Sequence, residues 1–153
     1  PVAIMAMGIV FNLLNGMMQA GGLFYFAPEG LYADGWAYLL KPHALLGVIL
    51  FFAGMFINLH SDYVIRHLRK PGDTKHYLPG KGLYRYVTSA NYFGELVEWT
   101  GFAILTASPA AWVFVWWTFA NLVPRADAIH CHYREEFGDE AVGKRKRIIP
   151  FLY

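Results

Sequence analysis

Long apolar runs alternate with short polar segments along this chain of 153 residues. A helix needs about 20 mostly apolar residues to cross the hydrocarbon core of a bilayer. Four runs meet or approach that length, and we predict membrane spans over residues 2–26, 43–62, 91–108 and 111–125. The pattern therefore predicts an all-α, multi-pass membrane bundle that forms a single domain over residues 1–153.

The segments between the runs differ in charge, and this difference predicts the orientation. The loop 63–90 and the tail 126–153 carry most of the lysines and arginines, whereas the segment after the first run carries Glu29 and Asp34. Because lysine and arginine are enriched on the cytosolic side of membranes, we expect the loop and the C-terminus in the cytosol. The membrane is then a bacterial inner membrane or the endoplasmic reticulum.

The composition also favours a membrane protein. The chain is 56% hydrophobic and only 16% charged, whereas soluble domains carry about 25% charged residues. A net charge of +2 is too small to indicate a nucleic-acid-binding protein. The single cysteine, Cys131, excludes an internal disulfide and any CxxC motif. Because Pro1 stands directly before an apolar run, we expect a fragment that begins at the start of a membrane helix.

Polar side chains gather at the predicted cytosolic ends of three spans. Each of the first two sets shares a face at helical spacing, and in the third His130 and Tyr133 follow Arg125 at helical spacing. The sets are Asn58, Asp62, Arg66 and Arg69; Asn91, Glu95 and Glu98; and Arg125, His130 and Tyr133. Guanidinium groups bind phosphates in bidentate fashion, and amides and carboxylates can hold ribose or carboxamide groups. The combination suits a dinucleotide. A buried ion-pair network that only connects the helices would use the same residues, and both interpretations stay open.

Three other chemistries are disfavoured. The chain has no GxGxxG motif, so a Rossmann site is not expected. The run His130-Cys131-His132 is not expected to bind a metal, because alternate residues on a helix point apart. Glu95 and Glu98 lie on one helix rather than across a cleft, so catalysis by paired carboxylates is not expected.

Several stretches, in order along almost the whole chain, resemble the steroid 5-alpha-reductase family. They are residues 57–63, 68–72, 82–84, 86–87 and 89–99, followed by Arg125-Ala126, His130, Tyr133, Phe137 and residues 149–151. The resemblance implies the last four helices of a seven-helix membrane fold. It also implies NADPH-dependent reduction of the 4,5 double bond of a 3-oxo-4-ene steroid, with hydride transfer to the beta carbon and protonation of the enolate at the alpha carbon.

The resemblance further implies residue roles. It implies cofactor contacts at Asn58, Asp62, Arg69, Tyr77, Asn91, Glu95, Arg125, His130 and Tyr133, and steroid contacts at Phe11, Trp99 and Trp117. In this family a glutamate and a tyrosine in earlier helices polarise the steroid carbonyl, so we expect the catalytic pair outside this chain. The expected partners are the steroid, the lipid bilayer and those N-terminal helices, with no nucleic acid and no metal.

Two further enzyme classes and one non-enzymatic role stay open. A related reductase that acts on an enoyl thioester or a polyprenoid would carry a similar basic loop. A membrane methyltransferase of the isoprenylcysteine type also ends with an acidic pair, Phe-Gly and a basic stretch. Here, however, Glu135-Glu136 directly precedes Phe137-Gly138, and the block 91–99 is foreign to that class. A membrane scaffold with purely structural polar networks would bind no nucleotide.

Overall fold

The computed structural model describes residues 2–70 and 72–153. Pro71, which belongs to one of the stretches that resemble the reductase family, lies outside the described residues, as does Pro1. The described residues form five α-helices: α1 (Val2–Ala20), α2 (Pro42–Arg66), α3 (Ala90–Thr106), α4 (Pro109–Phe137) and α5 (Asp139–Val142). A π-helical segment, Gly21–Tyr25, extends α1, and 3-10 turns cover Gly35–Leu40 and Gly82–Arg85. No β-strand occurs in the described part of the chain, so the predicted all-α class is confirmed.

Local sequence explains where the long helices begin and end. Pro42 and Pro109 occupy the first turns of α2 and α4, where a missing N–H costs nothing. Gly138, with φ of 83°, ends α4 in a backbone conformation that favours glycine. Helix α4 continues through Pro124 and past residue 125, the predicted end of the fourth span, and ends at Phe137, before Gly138. Its last three turns therefore belong to the segment predicted as tail.

Two of the helices are long and apolar enough to cross a membrane. They are Val2–Tyr25, with 24 residues and a mean hydropathy of 1.5, and Pro42–Arg66, with 25 residues and a mean hydropathy of 1.9. No side chain of α1 is buried by the described part of the chain. These helices coincide with the first and second predicted spans. The third and fourth spans fall on α3 and α4, and the four-span bundle stays a prediction.

Helices α2 and α3 pack with their backbones in direct contact. The contact is formed by glycines spaced seven residues apart, Gly47 and Gly54 on α2 and Gly94 and Gly101 on α3. A Cβ atom on Gly94 would lie 2.5 Å from the backbone nitrogen of Asn58, and one on Gly54 would overlap the backbone of Glu98. Small residues at this spacing are typical of helix pairs that approach closely in membranes. The glycines therefore fix both the distance and the register of the pair.

The C-terminal tail packs back onto the α3–α4 pair. Ile148 is fully buried in a cluster with Leu96, Leu122 and Ala126. The backbone of Lys146 forms a parallel bridge with Val87. Beside it, the Ser89 N–H donates to the Arg147 carbonyl at 3.0 Å. Arg147 also pairs with Asp127 on α4. The tail thus connects the start of α3 to the last turns of α4.

The glycine contact predicts that added methyl groups there are costly. Replacing Gly54 or Gly94 by alanine forces the two backbones apart, and we expect each variant to lose about 1–3 kcal/mol of unfolding free energy. Gly16→Ala is the matched control, because a Cβ at that position meets no atom within 4 Å. The measurement is thermal or denaturant unfolding in detergent. Equal stability of Gly54→Ala and Gly16→Ala would contradict the contact.

Candidate functional site

The α2–α3 contact brings two of the predicted polar sets together. Asn58 lies against Gly94, and Asn91 and Glu95 stand within one turn of that glycine. Asp62 follows Asn58 one turn later on α2, where it pairs with Arg66 at 3.5 Å. The amides and carboxylates that the sequence analysis assigned to two helices therefore meet at one end of the helix pair.

Tyr84 lies at the centre of this polar end, although the sequence analysis gave it no role. Its side chain is only 1% exposed, and its hydroxyl donates to the Asn91 Oδ1 atom at 3.4 Å. Burial, followed by the nearby Tyr133 phenol, raises the pKa of Tyr84 above its ordinary value. Burial likewise raises the pKa of Tyr133. Both phenols therefore stay protonated and can act as hydrogen-bond donors across the physiological pH range.

A first cavity, here called the polar cavity, opens between the C-terminal end of α2, the following loop and α4. Its volume is about 420 Å³. The lining includes three of the predicted cofactor residues, Arg69, Tyr77 and Tyr133. The other lining residues are Ile65, Arg66, Leu68, His76, His132, Glu136 and Phe137. The wall therefore combines guanidinium groups, imidazoles and phenol rings.

A second cavity, here called the aromatic cavity, lies between α1, α3 and α4 and has a volume of about 400 Å³. All three predicted steroid residues, Phe11, Trp99 and Trp117, line it together with the predicted cofactor residues Glu95 and Arg125. The remaining lining residues are Met7, Gly8, Phe114, Thr118, Asn121 and Leu122. The structure thus brings five predicted residues from three helices to one cavity.

Aromatic rings line one end of the aromatic cavity, and charged groups line the other end. Phe11 stacks on Trp117 with ring centroids 5.9 Å apart, and Trp99 packs edge-on against Phe114 at 4.5 Å. From Phe114 to Arg125 the wall follows α4 for about 16 Å, at 1.5 Å per residue. Because α3 and α4 are antiparallel neighbours, Glu95 lies at the Arg125 end. That end is also the polar end of the α2–α3 pair.

His130, predicted as a cofactor residue, lies in neither cavity. It is buried, and its Nδ1 atom shares a hydrogen bond with the Thr88 hydroxyl at 3.3 Å. The same hydroxyl donates to the Arg147 carbonyl at 3.2 Å. Burial, and secondarily Arg147, lowers the pKa of His130. In this structure His130 connects α4 to the loop and the tail, and its role at a cofactor stays a prediction.

The sequence analysis also missed a cluster on the wall of the polar cavity. His76 from the loop and His132 from α4 both contact the Glu136 carboxylate. The spacing of His132 and Glu136, four residues apart on a helix, was a signal that could have found half of this cluster. His76 lies 60 residues away from Glu136 along the chain, and no local pattern connects them.

Comparison with known proteins gives a consistent result. The family described as 3-oxo-5-alpha-steroid 4-dehydrogenase matches residues 1–153. The 3-oxo-5-alpha-steroid 4-dehydrogenase 1 of Macaca fascicularis is 43% identical over 153 residues, which are 100% of this chain and 56% of the relative. The Homo sapiens protein of the same name is also 43% identical, and the chain covers 57% of it. Steroid 5-alpha-reductase DET2 of Gossypium hirsutum is 38% identical over 153 residues, all of this chain and 58% of that relative. The chain therefore spans little more than half the length of these relatives.

The lowered pKa of His130 predicts a pH dependence of stability. Because folding favours the neutral imidazole, its contribution is fully present above the ordinary histidine pKa of about 6.5 and is lost as the pH falls towards the lowered value. We expect the unfolding midpoint of His130→Asn to fall less between about pH 7.5 and 5.5 than that of the unmodified protein. The exposed His67 provides the control variant, His67→Asn, which should keep the full decline. A His130→Asn variant with an unchanged decline would contradict the assignment.

Proposed function

Because the chain belongs to the 3-oxo-5-alpha-steroid 4-dehydrogenase family, we propose that it forms the NADPH- and steroid-binding part of a membrane reductase. The reaction is reduction of the 4,5 double bond of a 3-oxo-4-ene steroid. The observation that carries this proposal is the aromatic cavity, because it combines an apolar, ring-lined end with a carboxylate and a guanidinium at the other end.

The polar cavity fits the phosphate and adenosine part of NADPH. The Arg69 guanidinium can bind a phosphate in bidentate fashion, and the rings of Tyr77 and Tyr133 offer surfaces on which a base can stack. Asn58, Asp62 and Asn91 at the polar end of the α2–α3 pair supply amide and carboxylate groups for ribose and carboxamide. When bound, NADPH supplies the hydride for the reduction.

The aromatic cavity fits the steroid. Its volume of about 400 Å³ lies within the range of roughly 300–1,000 Å³ that is usual for ligand pockets. Phe11, Trp99 and Trp117 would pack against the fused rings, exclude water and hold the double bond near Glu95 and Arg125. Hydride adds to the beta carbon, the π electrons move towards the 3-ketone, and the alpha carbon then takes a proton. The groups that polarise the ketone would come from N-terminal helices outside this chain.

The apolar surface of α1 favours a location in a membrane. None of the α1 side chains is buried by the described residues, although the helix consists mostly of large apolar residues. Such a surface is stable only when lipid or other apolar helices cover it. We infer a multi-pass membrane protein in which lipid and N-terminal helices together cover the apolar surface of α1. The basic loop and the C-terminus would lie in the cytosol.

The proposal is tested by an assay of the detergent-solubilised protein, in a form that includes the N-terminal helices, with NADPH and progesterone or testosterone. The expected product is heavier than the steroid by two hydrogen atoms, with one NADPH consumed per product. Reduction of an enoyl thioester or a polyprenoid, with no conversion of either steroid, would replace the steroid by one of those substrates. Absence of both NADPH binding and reduction would contradict the proposal and favour a methyltransferase or a scaffold.

Cofactor binding depends on Arg69 in this account. Arg69→Ala removes charge-assisted hydrogen bonds worth about 1.5–3 kcal/mol, so the Kd for NADPH should rise about ten- to a hundredfold. Arg85→Ala is the matched control, because Arg85 is exposed and lines neither cavity. Asn91→Ala should also weaken NADPH binding. The measurement is a fluorescence titration with NADPH, and unchanged affinity in both Arg69→Ala and Asn91→Ala would refute the site.

Steroid binding should distinguish two adjacent tryptophans. Trp117 lines the aromatic cavity, whereas Trp116 is 71% exposed and packs only on Phe119 among the described rings. We expect Trp117→Ala to raise the KM for the steroid by at least about tenfold, because burial of an aromatic side chain against a ligand contributes more than about 1.4 kcal/mol. Trp116→Ala should leave the KM within about twofold. Equal effects of the two substitutions would contradict the assignment of the cavity.

A further inference from the structure

We propose that His76, His132 and Glu136 form a binding site for a divalent transition-metal ion such as Zn²⁺. The three residues lie on the wall of the polar cavity, where the loop after α2 meets the last turns of α4. The proposal rests on the geometry of these side chains, and it holds whether or not the cavity binds NADPH.

The two imidazole rings meet at the Glu136 carboxylate, each at a different oxygen. The His76 Nδ1 atom lies 2.6 Å from the Glu136 Oε1 atom, and the His132 Nε2 atom lies 3.2 Å from the Glu136 Oε2 atom. One ligand atom from each residue falls within 4.8 Å of the other two. Ligands at 2.0–2.2 Å from a tetrahedral Zn²⁺ ion are about 3.3–3.6 Å apart. Closing the set around an ion therefore requires only small rotations of exposed side chains.

The types of ligand select the class of metal. Two imidazole nitrogens and one carboxylate oxygen suit Zn²⁺ and its late first-row neighbours, whereas Mg²⁺ and Ca²⁺ prefer oxygen ligands only. Three protein ligands leave a fourth position for water. Glu136 neutralises one positive charge of the ion. Arg66 and Arg69 line the same cavity and oppose its binding, although Arg66 is paired with Asp62.

The site would connect α4 with the irregular segment that follows α2. His132 and Glu136 stand four residues apart on α4, so one face of the helix presents both ligands. His76 comes from the irregular segment 73–80, which the Arg145 side chain also contacts by donating to the Pro79 carbonyl at 2.9 Å. A bound ion would add a coordinate link from this segment to α4 and should slow the local opening of the segment.

Cys131 is the nearest competing explanation for metal binding. It precedes His132 in the sequence and its side chain is exposed and free. A thiolate is itself a good Zn²⁺ ligand. Adjacent residues on a helix point about 100° apart. The Cys131 thiol is therefore not directed at the Glu136 carboxylate, which the His132 ring contacts. Cys131→Ser should therefore leave the site intact.

The test is equilibrium binding of Zn²⁺, with no other ligand, to the purified full chain in detergent. We expect one ion per chain. The affinity for Zn²⁺ should fall at least about tenfold in His76→Ala, His132→Ala and the isosteric Glu136→Gln. Even a residue that only hydrogen-bonds to a metal ligand contributes about this much to metal affinity. His43→Ala, at the opposite end of α2, and Cys131→Ser should bind as the unmodified protein does. Circular dichroism of each variant checks that it is folded.

Hydrogen exchange gives a second, independent readout. Added Zn²⁺ should slow exchange of the amides in residues 73–80 in the unmodified protein and leave them unaffected in Glu136→Gln. Stoichiometric Zn²⁺ binding that survives all three cluster substitutions would overturn the proposal, as would its loss in Cys131→Ser alone. Failure of the unmodified protein to bind Zn²⁺ would overturn it as well.

Discussion

The direct backbone contact between α2 and α3 determines how the polar end of this protein is built. Gly47 and Gly54 of α2 and Gly94 and Gly101 of α3 each lie against the backbone of the other helix. This close contact prevents the two helices from sliding or rotating relative to each other. This contact holds Asn58 beside the turn that carries Asn91 and Glu95. Neither helix alone presents a binding surface, and the arrangement exists only while the two backbones touch.

Charged groups from three helices lie near one another at this polar end. Asp62 and Arg125 are both within electrostatic range of Glu95, although they belong to different helices. Tyr84 connects the same region to the loop through Asn91. Beyond it, the tail fixes the start of α3 to the last turns of α4 through the cluster around Ile148. The proposed reaction requires a cofactor held in the polar cavity to extend through this region to the charged end of the aromatic cavity.

Local sequence patterns predicted the helices and their polar faces better than the contacts between distant segments. Apolar runs and prolines indicated the four long helices, and helical spacing identified the polar faces, because both depend on neighbours along one helix. The buried position of Tyr84 and the contacts of His130 could not be predicted from the sequence, because both depend on segments that meet only after folding. Helix α4 extends beyond the predicted span 111–125, because the loss of hydrophobicity after Arg125 marks the end of an apolar run but not of a helix. Helical spacing identified Arg69 and Tyr133 as members of the polar sets, whereas a role for Tyr77 was implied only by the family resemblance.

The most direct test of this account compares NADPH binding by two glycine variants that are both destabilised but still folded. Gly94 lies against Asn58 at the polar end, whereas Gly47 lies against Leu105 at the opposite end of the same helix pair. The account predicts that Gly94→Ala weakens NADPH binding by at least about tenfold, whereas Gly47→Ala changes it by less than about twofold. A folded Gly94→Ala variant with unchanged NADPH affinity would contradict the claim that the glycine contact assembles the cofactor site.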